Sequence, residues 1–522
     1  MTTTARPART LREGRSGRGR AAVVGAAVLA LVLTGCVPWA GGGAGTHTST
    51  PTGETAPAGL ESFYGQQLEW EDCGDGFQCT TAAAPLDYRA PGDDSIDLAL
   101  VRHPATGDRL GSLLVNPGGP GGSGYDLVKD SLDFAVSADL QKHYDIIGFD
   151  PRGVSRSTPV TCYGPEQMDA YLYDITPGER GSDDWLAGRT ARGTAFAEAC
   201  DSNTGALLDN VDTESAARDL DVLRAALGDT TLNYLGYSYG TYLGAVYAGL
   251  FPTKAGRLVL DGAIDPAATN LDVNIEQAKG FESALRAYLT DCLGGADCPF
   301  EGTVDDAMGT VKALLDSVDA TPIRASDGRM LGGDTLVTAI IYPLYSQQGW
   351  PALSTMFDSV LSGSADQAMS FADQYNGRDA SGTYSDNSSE AFYAVNCMDY
   401  EYVTDAATMR EQEQELDAAA PVIGAYFGFG DITCTTWPYT SRAERATISA
   451  EGSPPIVVIG TTNDPATPYV WAQSLASQLD DGRLITFNGE GHTAYNKSNS
   501  CVNDAVDTFL IEGTAPTSDP DC

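Results

Sequence analysis

The chain has 522 residues, 42% hydrophobic and 20% charged, enough apolar content for a large core and too little charge for a disordered chain. Its net charge of −40, from 31 Lys+Arg against 71 Asp+Glu, makes a surface that repels phosphate backbones and argues against a nucleic-acid partner. The 58 Gly and 27 Pro, with no internal period, exclude a coiled coil or a repeat array.

The N-terminus reads as an address. Arg6, Arg9, Arg12, Arg15, Arg18 and Arg20 precede an apolar run over residues 21–33. That run fits the core of a signal peptide and is short for a membrane span. Leu33-Thr34-Gly35-Cys36 follows and resembles the bacterial lipobox. Residues 1–35 are therefore expected to be a lipoprotein signal peptide, with Cys36 as the lipidated first residue of an exported protein held at the outer face of the cell membrane. Residues 37–58, rich in Gly, Thr and Pro, read with Cys36 as a flexible tether. Of the 11 cysteines, lipidation of Cys36 leaves an even number in a compartment where disulfides persist. Proximity along the chain favours Cys73–Cys79 and Cys292–Cys298, then Cys162–Cys200, Cys397–Cys434 and Cys501–Cys522.

The folded part alternates short apolar strands with helical patterns. Strands are predicted at Gly111–Val115, Tyr144–Phe149, Leu232–Tyr237, Arg257–Leu260, Pro455–Gly460 and Arg483–Phe487. Their near-continuous apolar character marks a sheet buried on both faces. Ala216, Leu220, Leu223 and Leu227 repeat at helical spacing over Thr213–Leu227, and Gly228 stops the helix. This alternation predicts an α/β fold with a mostly parallel sheet. Between Asp261 and Pro455 the chain reads helical, most clearly at Asp305–Val318, Asp334–Tyr345, Trp350–Leu361 and Ser364–Tyr375. So long a gap without structure is improbable. The predicted organisation is a core in two parts, 59–266 and 451–522, with a helical cap insertion over 267–450 roofing the crevice at the strand ends.

Four pieces carry chemistry. Asn116-Pro117-Gly118-Gly119-Pro120-Gly121-Gly122-Ser123-Gly124 follows the first strand, and its glycines leave backbone N–H groups free to approach a developing oxyanion. It lacks the Lys-Ser/Thr ending of a phosphate loop and the spacing of a dinucleotide site, so no cofactor is expected, and no metal. Gly236-Tyr237-Ser238-Tyr239-Gly240 matches G-x-S-x-G between a strand and a small-residue helix, the context of a nucleophile elbow. The second oxyanion donor is then the N–H of Tyr239. A serine hydroxyl needs a base. Of the four histidines, His47 lies in the tether, and His103 and His143 precede the serine. Only His492 satisfies the order Ser, acid, His. Asp464, which follows the Pro455–Gly460 strand, is the expected acid, with Asp261 as the rival and Asp265 behind it.

Together these residues resemble the tripeptidyl aminopeptidase family of secreted bacterial α/β-hydrolases, related to proline iminopeptidases. The matching pieces are Asn116–Gly124, Tyr144–Pro159, Tyr234–Gly244, Val259–Pro266, Asn396–Tyr400, Asn463–Pro468 and Gly489–Thr493, spread over residues 60–522. Proline iminopeptidases carry His-Gly-Gly-Pro in the loop, and Pro117 in place of that His favours the tripeptidyl branch. The resemblance implies an α/β-hydrolase fold, Gly119 as the first oxyanion donor, and release of short peptides from free N-termini by acyl transfer. Such an exopeptidase must hold an ammonium group. Asp399, beside Cys397, is the leading candidate carboxylate and Glu276 the second. The competing readings are a carboxylesterase or lipase and a proline iminopeptidase on the same fold, and, outside enzymes, a solute-binding lipoprotein.

Overall fold

The computed structural model describes residues 47–522; the signal peptide, Cys36 and the first part of the tether lie outside the described residues. The strands are β1 His47–Thr48, β2 Glu69–Asp72, β3 Gln78–Pro85, β4 Ser95–His103, β5 Gly111–Asn116, β6 Tyr144–Phe149, β7 Leu232–Tyr237, β8 Ala255–Asp261, β9 Ile323–Arg324, β10 Met330–Leu331, β11 Ile456–Asn463 and β12 Gly482–Glu490. Ten of them form one sheet in the order β1-β2-β3-β4-β6-β5-β7-β8-β11-β12. The pairs from β1 to β4, and β4 with β6, are antiparallel. Every pair from β6 to β12 is parallel. Every residue of β5 and β6 is buried, as a sheet covered on both faces requires.

The helix Thr213–Leu227 shows how the sequence builds the covering layers. Asp212 caps its start by accepting the Ser215 N–H at 2.8 Å, and Gly228 ends it in the left-handed region at φ 87°. Its buried face presents Asp219 to Arg152, whose guanidinium bonds both carboxylate oxygens at 2.7 Å. The same guanidinium donates to the carbonyls of Pro85, Leu86 and Asn210. The Asp150-Pro151-Arg152-Gly153 turn after β6 thus pins the antiparallel half of the sheet to the helical layer.

Two findings redraw the predicted boundaries. Residues 47–58, read as tether, pack on the core: β1 pairs with β2, Thr52 N–H donates to Ala225 O at 2.9 Å, and Glu54 bonds Arg224 and Lys254. Backbone pairing and an ion-pair cluster hold a segment whose composition offers little apolar surface. The 267–450 insertion, in turn, divides. Residues from Ala278 to Ala372, with Leu416–Ile423, form their own apolar core, including Phe281, Leu285, Leu315, Ile340 and Phe357. The helix Ser388–Asp399 and the stretch around Trp437 and Ala450 instead join the core beneath the sheet. Helices Pro165–Tyr173 and Asp183–Thr204, between β6 and the Thr213 helix, complete the roof: Trp185 and Leu186 pack with Met409, Phe429 and Ile432. Disulfides join Cys73–Cys79, Cys162–Cys200, Cys292–Cys298, Cys397–Cys434 and Cys501–Cys522.

Candidate active site

The sheet order reverses around β5, so the loops after β5 and β7 meet at a switch point. The register places Asn116 opposite Gly236, which sets the glycine loop against the elbow. Ser238 occupies the turn between β7 and the helix Tyr239–Leu250 at φ 56° and ψ −126°, a conformation rare outside glycine. The flanking glycines are required by contact. A Cβ on Gly236 would lie 2.3 Å from Gly240 O, and one on Gly240 would lie 2.7 Å from Asn116 Oδ1. Asn116 Oδ1 in turn accepts the Gly118 N–H at 2.9 Å. Gly118, at φ 95°, brings the loop backbone beside Ser238 and Tyr239 N, and Gly119, at φ 114°, folds the loop back on Gly121 and Gly122.

His492 and Asp464 meet from the loops after β12 and β11. His492 Nδ1 donates to both oxygens of Asp464, at 2.9 and 3.0 Å. The carboxylate is fully buried and also accepts the N–H groups of Ala466, Thr467 and Thr493 and the Thr467 hydroxyl. Sequence reasoning missed Thr467, whose hydroxyl stands 3.2 Å from His492 Nδ1. It also missed Tyr345, at the end of the cap helix Gly333–Leu344. Its carbonyl accepts the His492 backbone N–H at 2.9 Å and its ring packs edge-on against the imidazole at 5.4 Å. Nothing local to Tyr345 signals this, because the contact exists only once the cap folds over the crevice.

The rival acids do other work. Asp261 accepts the Ala494 and Tyr495 N–H groups at 2.8–3.0 Å and so fixes the chain just after the imidazole. Burial raises its carboxyl above the ordinary range. Asp265 bonds Ser474 and Gln478.

The two carboxylates expected to hold the substrate amine are both engaged elsewhere. Asp399 is 2% exposed and accepts the Thr213 N–H at 2.8 Å and the Thr213 hydroxyl at 2.5 Å. Burial pushes its carboxyl up to about 7. The Thr213 hydroxyl also bonds the Tyr239 phenol, so Asp399 buttresses the residue after Ser238 from within the core. Glu276 is half-buried on the cap helix Asn270–Gly294 and paired with Lys279 at 2.8 Å.

A cavity of about 870 Å³ is lined by Tyr171, Trp185, Val337 and Phe427 among others. Tyr375 and Tyr393 line it. Tyr375 packs on Tyr345, which packs on His492, and the helix of Tyr393 packs on Gly121 of the glycine loop.

A parallel sheet with its serine on a strand–helix elbow and its His–Asp pair on later strand ends defines a serine hydrolase of the α/β-hydrolase class. Residues 420–522 match a family model described as TAP-like protein. The chain is 36% identical to serine protease Hip1 of Mycobacterium tuberculosis over 517 residues, covering 95% of this chain and 96% of that protein. It is 36% identical to carboxylesterase B of the same organism over 85% of this chain and 86% of that one. It is 33% identical to tripeptidyl aminopeptidase of Streptomyces lividans over 87% and 86%. The chain belongs to the tripeptidyl aminopeptidase family.

Proposed function

We propose that the protein is a serine exopeptidase that releases short peptides, tripeptides foremost, from free N-termini. The observation that carries this reading is the buried His–Asp pair on the strand ends that follow a serine elbow, in a chain whose relatives include a serine protease and a tripeptidyl aminopeptidase. In the proposed cycle His492 Nε2 takes the Ser238 proton as Oγ attacks the scissile carbonyl. Asp464 holds the ring with Nδ1 protonated, and the N–H groups of Gly119 and Tyr239 receive the oxyanion. His492 then protonates the leaving amine. Water, deprotonated by the same ring, cleaves the acyl-enzyme. Asp174 and Glu179, exposed on the cavity wall and without an ion-pair partner among the described residues, join Glu276 and Asp399 as candidates for the substrate ammonium.

We further read residues 267–450 as a cap that, with residues 151–212, limits access, and residues 1–36 as a lipoprotein signal ending at a lipidated Cys36. The Leu33-Thr34-Gly35-Cys36 sequence supports that anchor, and the disulfides fit export.

One experiment tests the exopeptidase reading. The protein is given a tripeptide amide with a free or acetylated N-terminus and a simple acyl ester, and products are identified by mass spectrometry. The expected result is tripeptide release from the free substrate, with acetylation lowering kcat/KM by roughly tenfold or more, the loss of a charge-assisted contact to a carboxylate. Equal cleavage of free and acetylated peptides, or turnover of the ester alone, overturns it in favour of an endopeptidase or a carboxylesterase.

A further inference from the structure

The residue after the imidazole stands in a conformation that its own chemistry disfavours. Thr493 has φ 65°, in the left-handed region, where a β-branched side chain is an outlier. Asn496, in the same turn at φ 59°, is of a type that visits this region more readily. A backbone of this kind persists only where its surroundings hold it. Thr493 is 6% exposed, and its N–H donates to Asp464 Oδ2 at 3.1 Å. Gly262 leaves the space that its methyl fills: a Cβ there would lie 2.8 Å from Thr493 Cγ2 and 3.2 Å from His492 Cε1. The Thr493 hydroxyl accepts Lys497 Nζ at 2.5 Å. Lys497 comes back to Thr493 through a turn in which its own N–H donates to Ala494 O at 3.2 Å. It is an exposed residue, but its ammonium stands 4.6 Å from the Phe134 ring centroid and 4.9 Å from that of Tyr237, the residue before Ser238. The bond to Thr493 is the one hydrogen bond of that ammonium among the described residues. Burial holds the ammonium below the ordinary lysine value, against the pull of the buried Asp261 and Asp464 carboxylates.

The φ torsion of Thr493 joins two fixed pieces of chain. Behind it, His492 Nδ1 donates to Asp464; ahead of it, the N–H groups of Ala494 and Tyr495 donate to Asp261. A turn of φ to the ordinary negative range swings one piece against the other and draws the imidazole off Asp464. We propose that Lys497 is a positioning residue: its ammonium, bonded to the Thr493 hydroxyl, holds Thr493 in the left-handed conformation and so keeps the His492 imidazole seated on Asp464. This rests on His492 serving as the base in the proposed cycle and adds a residue that acts through it.

The test removes each end of the bond in turn, with Lys497→Met and Thr493→Val, and then both together. The rate and final extent of fluorophosphonate labelling at Ser238 are measured, with kcat and KM for an acyl nitrophenyl ester and the Tm of each variant. Each single substitution is expected to lower kcat and the labelling rate by roughly 10- to 100-fold, the range of a hydrogen bond to a charged group, with KM nearly unchanged and labelling still complete. The double variant should be no slower than the slower single one, because both act through one bond. Thr493→Ser, which keeps the acceptor, should recover most of kcat. A loss of folded protein alone would instead lower the Tm and the final extent of labelling, with kcat per labelled molecule unchanged. A wild-type rate in either single variant, or losses that multiply in the double one, overturns the proposal; where Lys497→Met does not fold, Thr493→Val decides by itself. His492→Ala separates the two readings. If it labels as fast as the wild type, the base assignment falls and the proposal with it; if it labels slowly while Lys497→Met and Thr493→Val keep the wild-type rate, the positioning role alone is sunk.

Discussion

Asp261 and Asp464 stand at the ends of adjacent parallel strands, and only Asp464 touches the imidazole. Asp464→Asn should lower kcat by roughly 10⁴-fold, by analogy with the wrong-tautomer effect at a serine protease aspartate. Asp261→Asn leaves that contact in place and weakens the bonds to Ala494 and Tyr495. It should cost about 1–3 kcal/mol of stability with a much smaller loss of kcat. Steady-state kinetics and thermal denaturation of the two variants check the ranking; a larger kcat loss at Asp261 would reverse the roles. Asp399 makes a pH prediction. Its carboxyl sits at about 7 in the folded protein against about 3.9 in an unfolded chain, so the native state holds the proton more tightly. The stability from that proton is complete below about pH 4 and is lost as pH rises through about 7. Arg445, Asp212, Tyr242 and Tyr400 face the same pocket and set how steep the loss is. Asp399→Asn carries no such titration, so the wild-type Tm should fall relative to this variant between pH 5 and 8; a constant difference would contradict the shift. The sequence pointed to Asp464 through strand order. It could not exclude Asp399 from the crevice, because what buries it is Thr213, far away in the chain.

At the scale of elements, the parallel strands were legible because β5, β6, β7, β8 and β11 are runs of buried apolar residues. The antiparallel half was not. In β3, Gln-Cys-Thr-Thr-Ala-Ala-Ala-Pro has no β-branched aliphatic residue and few large side chains, and its place depends on pairing with β4. The helix Asp183–Thr204 was equally silent. Its buried positions are Trp185, Leu186, Gly193, Phe196, Ala197 and Cys200, so large apolar residues are few and small ones fill the rest of the buried face. The glycine loop and the elbow act as one element, joined through Asn116. Gly240→Ala should push Asn116 Oδ1 off the Gly118 N–H, costing about 1–3 kcal/mol by overpacking and lowering kcat more than it raises KM. Unchanged kcat in a folded Gly240→Ala protein would show that the two parts are independent.

Across the whole molecule the roof is sewn to its base. Cys162–Cys200 and Cys397–Cys434 tie segments that leave the core and return to it, and their sulfurs lie against the core beneath the sheet. Closing the 37-residue separation of Cys397 and Cys434 restricts the unfolded chain by about 4 kcal/mol in the loop-entropy account. The double substitution Cys397→Ser with Cys434→Ser should lower the denaturation midpoint accordingly, while Cys36, outside this framework, should not matter to it. The cap also grips both halves of the candidate charge relay. Its helix Asn270–Gly294 lies so close to the Asp464 loop that a Cβ on Gly280 would come 2.5 Å from Pro465 O, and Gln277 bonds Ala466 O at 2.9 Å.

The bond from His492 N–H to the Tyr345 carbonyl carries that grip to the imidazole itself. Lifting the roof by a bond length breaks it and takes away the cap's hold on the histidine loop, leaving that loop to Asp464 and Asp261. In rising urea, labelling of Ser238 by a fluorophosphonate should fade while tryptophan fluorescence still reports an intact fold.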